Sequence, residues 1–424
     1  MKHSRLVRLG LATAIVGLVA GCSSSPSDDG SSGASTGDST EPVTITYSNF
    51  ISNGGNEDNM AAIVAAFEKD NPGITVDVTT LPYGDYFTAL QTDLVAGTQA
   101  DVFDIEYANY KAYVESGVAA PIEGIDAAKY RDSLIQAYQT DGTQYAVPTS
   151  FSTVVLYYNK DLFDAAGVSY PTADWTWKDE QAAAEAITDK SKDIWGDYQP
   201  FTYNEYFKTV AQAGGSFLSE DGSKVNFNTP EGVEAAKWLV NKVGNTMPAA
   251  GDASTDSDAD LFSTGHLAMW HTGIWMFASM QDVPFNWDIV VEPGLTRQAS
   301  HLFSNAVMVS ANTKHMAAAA KWADYLATSQ ATIDARLANS WELPPVSDDG
   351  ALAAYLTQGL PANRQAVFDS LKSVALAPSI GANQAQMSDI VTKYLGEAAA
   401  GRMSAEEAVQ KAADEVQPLL PPAN

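Results

Sequence analysis

The sequence predicts an α/β protein whose parallel sheet carries helices on its faces and whose length divides into two lobes. Three observations lead there. Residues 43–105 read as strand, helix, strand, helix, strand, the order that makes a parallel sheet covered by helices. The second half continues with capped, alanine-rich helices. The stretch from Val43 onward, about 380 residues, is too long for one hydrophobic core and suits two.

The elements follow from spacing. Val43-Thr44-Ile45-Thr46-Tyr47 alternates as a strand and breaks at Ser48-Asn49. Ile63, Ala66 and Phe67 lie at helical spacing, Asn71-Pro72-Gly73 stops that helix, and Ile74, Val76 and Val78 alternate again. Tyr86, Leu90 and Leu94 fall four apart before Gly97, a C-terminal stop. Asp101–Ile105 is the third strand. Ligands of such sheets sit beyond the carboxyl ends of the strands, which directs attention to residues 49–53 and 104–109. Further on, Thr176 with Asp179 forms a capping-box start, and Thr229-Pro230 places a cap and an N1 proline before Val233, Ala236, Val240 and Val243. Ala318, Trp322 and Leu326 share a face. So do Ile390, Tyr394 and Ala398, with Gly401 ending that helix and Ser404 with Glu407 opening the last.

The N-terminus points outside the cell. Lys2, Arg5 and Arg8 precede an apolar run, residues 9–21, of secretory type. It ends at Val19-Ala20-Gly21-Cys22, and Cys22 is the single cysteine of the chain. This segment resembles a bacterial lipobox, in which the cysteine is acylated and becomes the mature N-terminus, so lipidation is expected at Cys22. Residues 1–21 then form the signal peptide. Residues 22–42, almost wholly Ser, Gly, Asp, Thr and Pro after the cysteine, form a flexible tether. No later run is apolar enough to span a membrane. The formal charge is −28, which repels phosphate backbones and argues against nucleic acid and phosphorylated ligands. The aromatic content (9 Trp, 18 Tyr, 15 Phe) serves a core, and equally a sugar site, where pyranose C–H faces pack on rings.

An ordered series of segments carries a family resemblance. It runs through AAFEKDNPGITVDV, DLVAGTQADVF with YVESGVAAPI, YAVPTSFSTVVLYYNKDLFDAAGV (145–168), Trp175-Thr176-Trp177, Gly214-Gly215, LFSTGHLAMWHTGIW (261–275) and VMVSANTKHMAAAAKWADYLA. In these the chain resembles the extracellular sugar-binding proteins that serve ABC importers, of the maltose-binding and multiple-sugar-binding type, over nearly all of residues 43–420. The resemblance implies a two-lobe, periplasmic-binding-protein-like α/β fold with discontinuous lobes and a hinge closing on ligand. Its crossovers would fall near Pro148–Phe151 and Phe303–Ala306. Lobe 1 would comprise residues 43–149 plus about 303–345, and lobe 2 residues 150–302 plus about 346–424. It implies a monomer without cofactor, holding a small carbohydrate, tethered by lipid to the outer face of the membrane and handing its cargo to membrane permease subunits.

Carried over residue by residue, the resemblance names a site. Trp275, after Gly273 in Thr272-Gly273-Ile274-Trp275, takes the place of a sugar-stacking tryptophan, with Trp270 and Thr272 in the same turn. Trp341-Glu342 precede Leu343-Pro344-Pro345 on a loop approaching the cleft. Asn49 and Phe50 leave the first strand at its mouth. Asp104, Glu106, Tyr107 and Asn109 offer carboxylate and amide groups to hydroxyls. Ile105 stands where the maltose-binding pattern has an aromatic residue. Phe151 and Ser152 lie at the hinge, Asn305 at the second crossover, and Tyr203, Asn204 and Tyr206 before Gly214-Gly215. Other patterns point away from chemistry. Asp256, Asp258 and Asp260 mimic a calcium loop but lack its glycine and glutamate, so a solvated acidic loop is expected. His266 and His271 have no third ligand in view, so no metal is expected. A receptor for a polyol, peptide or amino-acid derivative on the same scaffold is the nearest alternative, and an exported glycoside hydrolase, needing two suitably spaced carboxyls, a more distant one.

Overall fold

The computed structural model describes residues 42–50, 56–249 and 257–422; Cys22 and the leader lie outside them. Strand β1 (Val43–Phe50) pairs in parallel with β2 (Ile74–Leu81) on one side and β3 (Val102–Glu106) on the other. Helices α1 (Glu57–Asp70) and α2 (Tyr83–Ala96) make the two connections. The two-residue period of the strands sorts the side chains. Ile45, Tyr47 and Val102 meet Ile63 and Phe67 of α1 on one face, and Phe50, Phe103 and Ile105 meet Tyr86 and Leu90 of α2 on the other. Gly97 closes α2 at a φ of +71°, where a side chain would be strained. Helix α3 (Tyr107–Glu115) follows β3 directly.

Two long strands connect this half to the next. Strand β4 (Ala146–Asn159) is buried at all 14 positions, so its near-continuous apolar reading reflects cover on both faces. Its first part, Ala146–Thr153, pairs antiparallel with β7 (Ser300–Val309), while Val154–Asn159 pair with β5 (Met269–Gly273) and β6 (Trp287–Val290). Strand β7 (Ser300–Val309) changes partners in the same way. Asn305–Val309 pair with β3, and Ser300–His301 pair with the short β8 (Val374–Ala375). The β4–β7 register shifts between Pro148 and Ser150, where proline has no N–H for the ladder. The crossover segments expected from sequence, Pro148–Phe151 and Phe303–Ala306, fall within this paired stretch.

In the second half, Tyr157 of β4 lies flat on Trp287 (5.3 Å between centroids, 8° between planes) and tilted against Trp270. Helix α4 (Trp177–Ile187) packs on this core, whereas α5 (Tyr203–Gln212) and α6 (Pro230–Val240) build a second cluster beside it. Thr176 and Asp179 make the expected capping box, and Pro230 opens α6. Helix α6 ends at Val240, so Val243 lies in the following turn. Helices α7 (Met316–Thr328) and α8 (Gln330–Ala338) return to the first half, where Trp322 is fully buried against Tyr47 and Phe67. Helices α9 (Gln384–Ala399) and α10 (Ala405–Val416) return to the second, the latter opened by a Ser404–Glu407 capping box. Among the described residues no helix is long and apolar enough to cross a membrane.

Candidate binding cleft

β1 and β3 end at the same sheet edge, and their last residues, Phe50 and Glu106, form one wall of a cavity of about 490 Å³. The connecting strands add Val154, Phe303 and Asn305, with Glu342 beside them. The second half supplies the opposite wall: His271 and Thr272 from β5, then Trp275, then Asn204 and Glu205 in the first turn of α5, with Pro200, Thr202 and Asp258. The volume lies in the range of small-molecule sites, which run from roughly 300 to 1,000 Å³.

Aromatic rings stand on both walls. Phe50 meets Tyr83 edge-on at 5.4 Å. Trp275 meets Phe303 edge-on at 5.1 Å, and Phe303 stacks on His301 at 3.5 Å. Trp275 depends on its neighbour Gly273. A Cβ there would come within 2.0 Å of the indole Cζ3, so only glycine lets the ring lie over this backbone.

Four carboxylates line the cavity, and the described lining residues include no lysine or arginine. Glu106 accepts the Tyr83 hydroxyl at 2.9 Å; burial pushes its carboxyl up to about 7, the Tyr83 bond opposes this, and nearby Glu342 reinforces it. Glu342 accepts from Ser150 Oγ (2.9 Å) and Asn305 Nδ2 (3.2 Å), with Arg336 Nη1 at 3.7 Å. Glu205 faces Lys208 Nζ at 2.6 Å, and Asp258 accepts the Trp270 indole N–H at 3.0 Å. Such a wall offers acceptors to hydroxyl groups and repels carboxylates and phosphates.

Behind the second wall lies a ring of buried charge. Lys208 reaches Glu292 (2.5 Å), whose Oε1 meets His271 Nδ1 at 2.8 Å. His271 Nε2 meets Glu180 Oε1 at 3.0 Å, and Lys242 joins Glu180 (2.6 Å), Asp197 and Gln199 Oε1 (2.8 Å). Gln199 Nε2 donates to Glu205 Oε2 at 3.0 Å, which returns the ring to Lys208. Burial alone would deprotonate His271, but the carboxylates of Glu180 and Asp197 outweigh it and hold the imidazole well above its usual range. Glu180, Asp197 and His271 bring possible metal-ligand atoms within 4.8 Å of one another. The Lys242 ammonium and the protonated His271 together balance those two carboxylates. His266 is elsewhere, its Nδ1 on Asp193 O at 2.9 Å.

Of the residues singled out from sequence, Phe50, Glu106, Asn204, Thr272, Trp275, Asn305 and Glu342 come together around this cavity. Asn49, Asp104 and Trp341 line a smaller chamber adjoining it, which shares Phe50, Asn305 and Glu342 as walls. The others lie among packed side chains. Trp270 is in the second-half core against Tyr157 and Phe262. Tyr203 and Tyr206 are buried under α5, their hydroxyls donating to Pro378 O and Gly232 O. Phe151 packs at the strand connection, with its N–H on Leu343 O and Arg131 over its ring, and Ser152 is buried beside it. Tyr107 meets Tyr138 edge-on, and Asn109 is half-buried on α3. Tyr83, Glu205, Asp258, His271 and Phe303 also stand in the walls, beyond the ligand residues expected from sequence.

The chain belongs to the family of bacterial extracellular solute-binding proteins, whose profile matches residues 53–333. Its fold is accordingly the two-lobe α/β fold of these proteins, and the family is one of binding proteins, not enzymes. It is similar to an ABC substrate-binding protein from Listeria monocytogenes solved in complex with cycloalternan, at 40% identity and a TM-score of 0.85, covering 88% of this chain and 98% of that one. A putative binding protein of Brucella abortus (strain 2308) is 30% identical over 221 residues, 49% of this chain and 52% of its own. The maltodextrin-binding protein of Bacillus subtilis (strain 168) is 26% identical over 321 residues, 74% of this chain and 73% of its own. The chain thus spans about half the length of the first of these curated relatives, 52%.

Proposed function

We propose that this chain is the substrate-binding lipoprotein of an ABC importer. It captures a mono- or oligosaccharide as a monomer in the cleft between lobe 1 (43–149 with about 303–345) and lobe 2 (150–302 with about 346–424), then delivers it to the membrane permease. One observation carries the reading: a cavity walled from both halves, with aromatic faces and carboxylate acceptors and no lysine or arginine among its described lining. That lining suits a neutral, polyhydroxylated ligand with apolar C–H faces. The cycloalternan complex of the relative at 40% identity supports a carbohydrate as its class.

A thermal-shift panel tests it. Cycloalternan, maltose, maltotriose, mannitol and a short peptide are each added to the folded protein. At a hundredfold excess over Kd, a true ligand stabilises the native state by about 2.7 kcal/mol, a shift of several degrees. A saccharide response is expected. A response to the peptide alone, with every saccharide silent, would overturn the reading.

Cys22 and its lipobox-like flank support acylation and tethering at the outer face of the membrane. Cys22→Ser is expected to lose incorporation of labelled fatty acid and to leave the protein unprocessed or released. Unchanged labelling in that variant would contradict it.

A further inference from the structure

The small chamber beside the cleft is enclosed by buried groups whose hydrogen-bonding capacity does not close on itself. Asn49 Nδ2, Arg336 Nε and Trp341 Nε1 have no hydrogen-bond acceptor among the described protein groups. All three side chains line the chamber, and all are more than nine-tenths buried. Their other contacts are fixed. Asn49 Oδ1 accepts from Thr80 Oγ1 at 3.1 Å, and the Arg336 guanidinium lies 4.2 Å over the Trp341 ring with Nη1 directed to Glu342. Two carboxyls, Asp104 and Glu342, also line it. Asp104 accepts the Tyr47 hydroxyl at 2.6 Å.

Buried donors in native proteins are rarely left unmatched, and three at one small chamber call for an acceptor. The space available is about 20 Å³, whereas one oxygen needs roughly 10–15 Å³ by that measure. We infer that this chamber is an inner subsite of the cleft for a single hydroxyl oxygen, which accepts from Asn49, Trp341 or Arg336 and donates to Asp104 or Glu342. A hydroxyl group supplies both roles. A carboxylate or phosphate oxygen supplies only the first and would face two carboxyls. The hydroxyl comes either from an ordered water that backs the ligand or from one exocyclic hydroxyl of the ligand. The subsite gives Asn49, Asp104 and Trp341 a shared task at one remove from the main cavity. The second source rests on the proposed saccharide-binding role.

Crystal structures of the protein alone and soaked with cycloalternan, at a resolution that shows ordered water, test this directly. Oxygen-sized density within hydrogen-bonding reach of at least two of the three donors is expected in the free protein. If it persists in the complex, the source is water; if a ligand hydroxyl replaces it, the source is the saccharide. An empty chamber in the free protein and in the complex overturns the inference. Because the free form needs no ligand, failure of cycloalternan to bind leaves that test intact and counts against the proposed function alone. Trp341→Phe, which removes one donor and keeps most of the ring, is expected to lose the oxygen or shift it toward Asn49. An unmoved oxygen in that variant would also contradict the assignment.

Discussion

Replacing Trp275 with alanine is expected to weaken saccharide binding about tenfold to a hundredfold, equivalent to about 1–3 kcal/mol. The indole lines the cavity, is held edge-on by Phe303 and lies over Gly273, so truncation removes a positioned apolar face. Gly273→Ala gives an independent handle. Gly273 has an ordinary φ of −89°, so alanine is tolerated by the backbone, but its methyl cannot share space with the ring. That variant is expected to weaken binding by displacing Trp275 while leaving the indole present. Calorimetric titration with the saccharide that responds most in the thermal panel checks both. Parental affinity in a well-folded Trp275→Ala protein would remove this residue from the site.

The largest stability effect is expected at Lys242. Its ammonium joins Glu180, Asp197 and Gln199 in the buried ring and lies 4.0 Å from the centre of the Trp238 ring. Lys242→Met keeps the stem and removes the charge, leaving two buried carboxylates with one imidazole between them. Breaking one side of such a buried group costs about 3–5 kcal/mol. The pH profile gives the sign. Asp197 and Glu292 are held below their usual 3.8 and 4.5, because the neighbouring Lys242 and Lys208 ammonium groups and the His271 imidazolium outweigh burial. Their stabilisation is present above those values and is lost as pH falls through the lower folded ones. His271 is held above its usual 6.5, so its contribution is complete below 6.5 and is lost as pH rises through the higher folded value. The gap between parent and variant is therefore expected to be fully developed by about pH 5 to 6 and to narrow toward pH 3, where the carboxylates take up protons. Urea denaturation across that range measures it. A gap near zero at pH 6 would show that the ring contributes no net stability.

Periodic elements were legible because local spacing determines them. The β1–α1–β2–α2–β3 run, both capping boxes and the buried face of α7 follow from side-chain period and cap chemistry within a few residues. The end of α6 did not, since Val243 continues the apolar spacing of the helix although the backbone turns after Val240. Cleft walls were legible where a residue ends a strand, as Phe50 and Glu106 do, or where the family resemblance marked a position, as at Trp275 and Asn305. His271 was not, because its place depends on partners far along the chain. His271 reads as an isolated histidine until Glu180, Asp197 and Glu292 arrive from three other segments. Asp258 reads as part of a solvated acidic loop, yet the Trp270 indole N–H holds it at the cavity. Trp270 and Trp341 have similar sequence surroundings to a stacking tryptophan, and only packing distinguishes them: one lies in the second-half core, the other beneath Arg336 at the inner chamber.

The two lobes are expected to close on the captured ligand, and small-angle X-ray scattering on residues 43–424, with and without the saccharide at saturation, measures that closure. The antiparallel β4–β7 pair and the cavity walled from both sides lead us to expect hinge closure about residues 148–151 and 303–306. The expected result is a smaller radius of gyration and a shorter maximum dimension in the saturated protein. A saccharide that binds at saturation while leaving the scattering curve unchanged would contradict it.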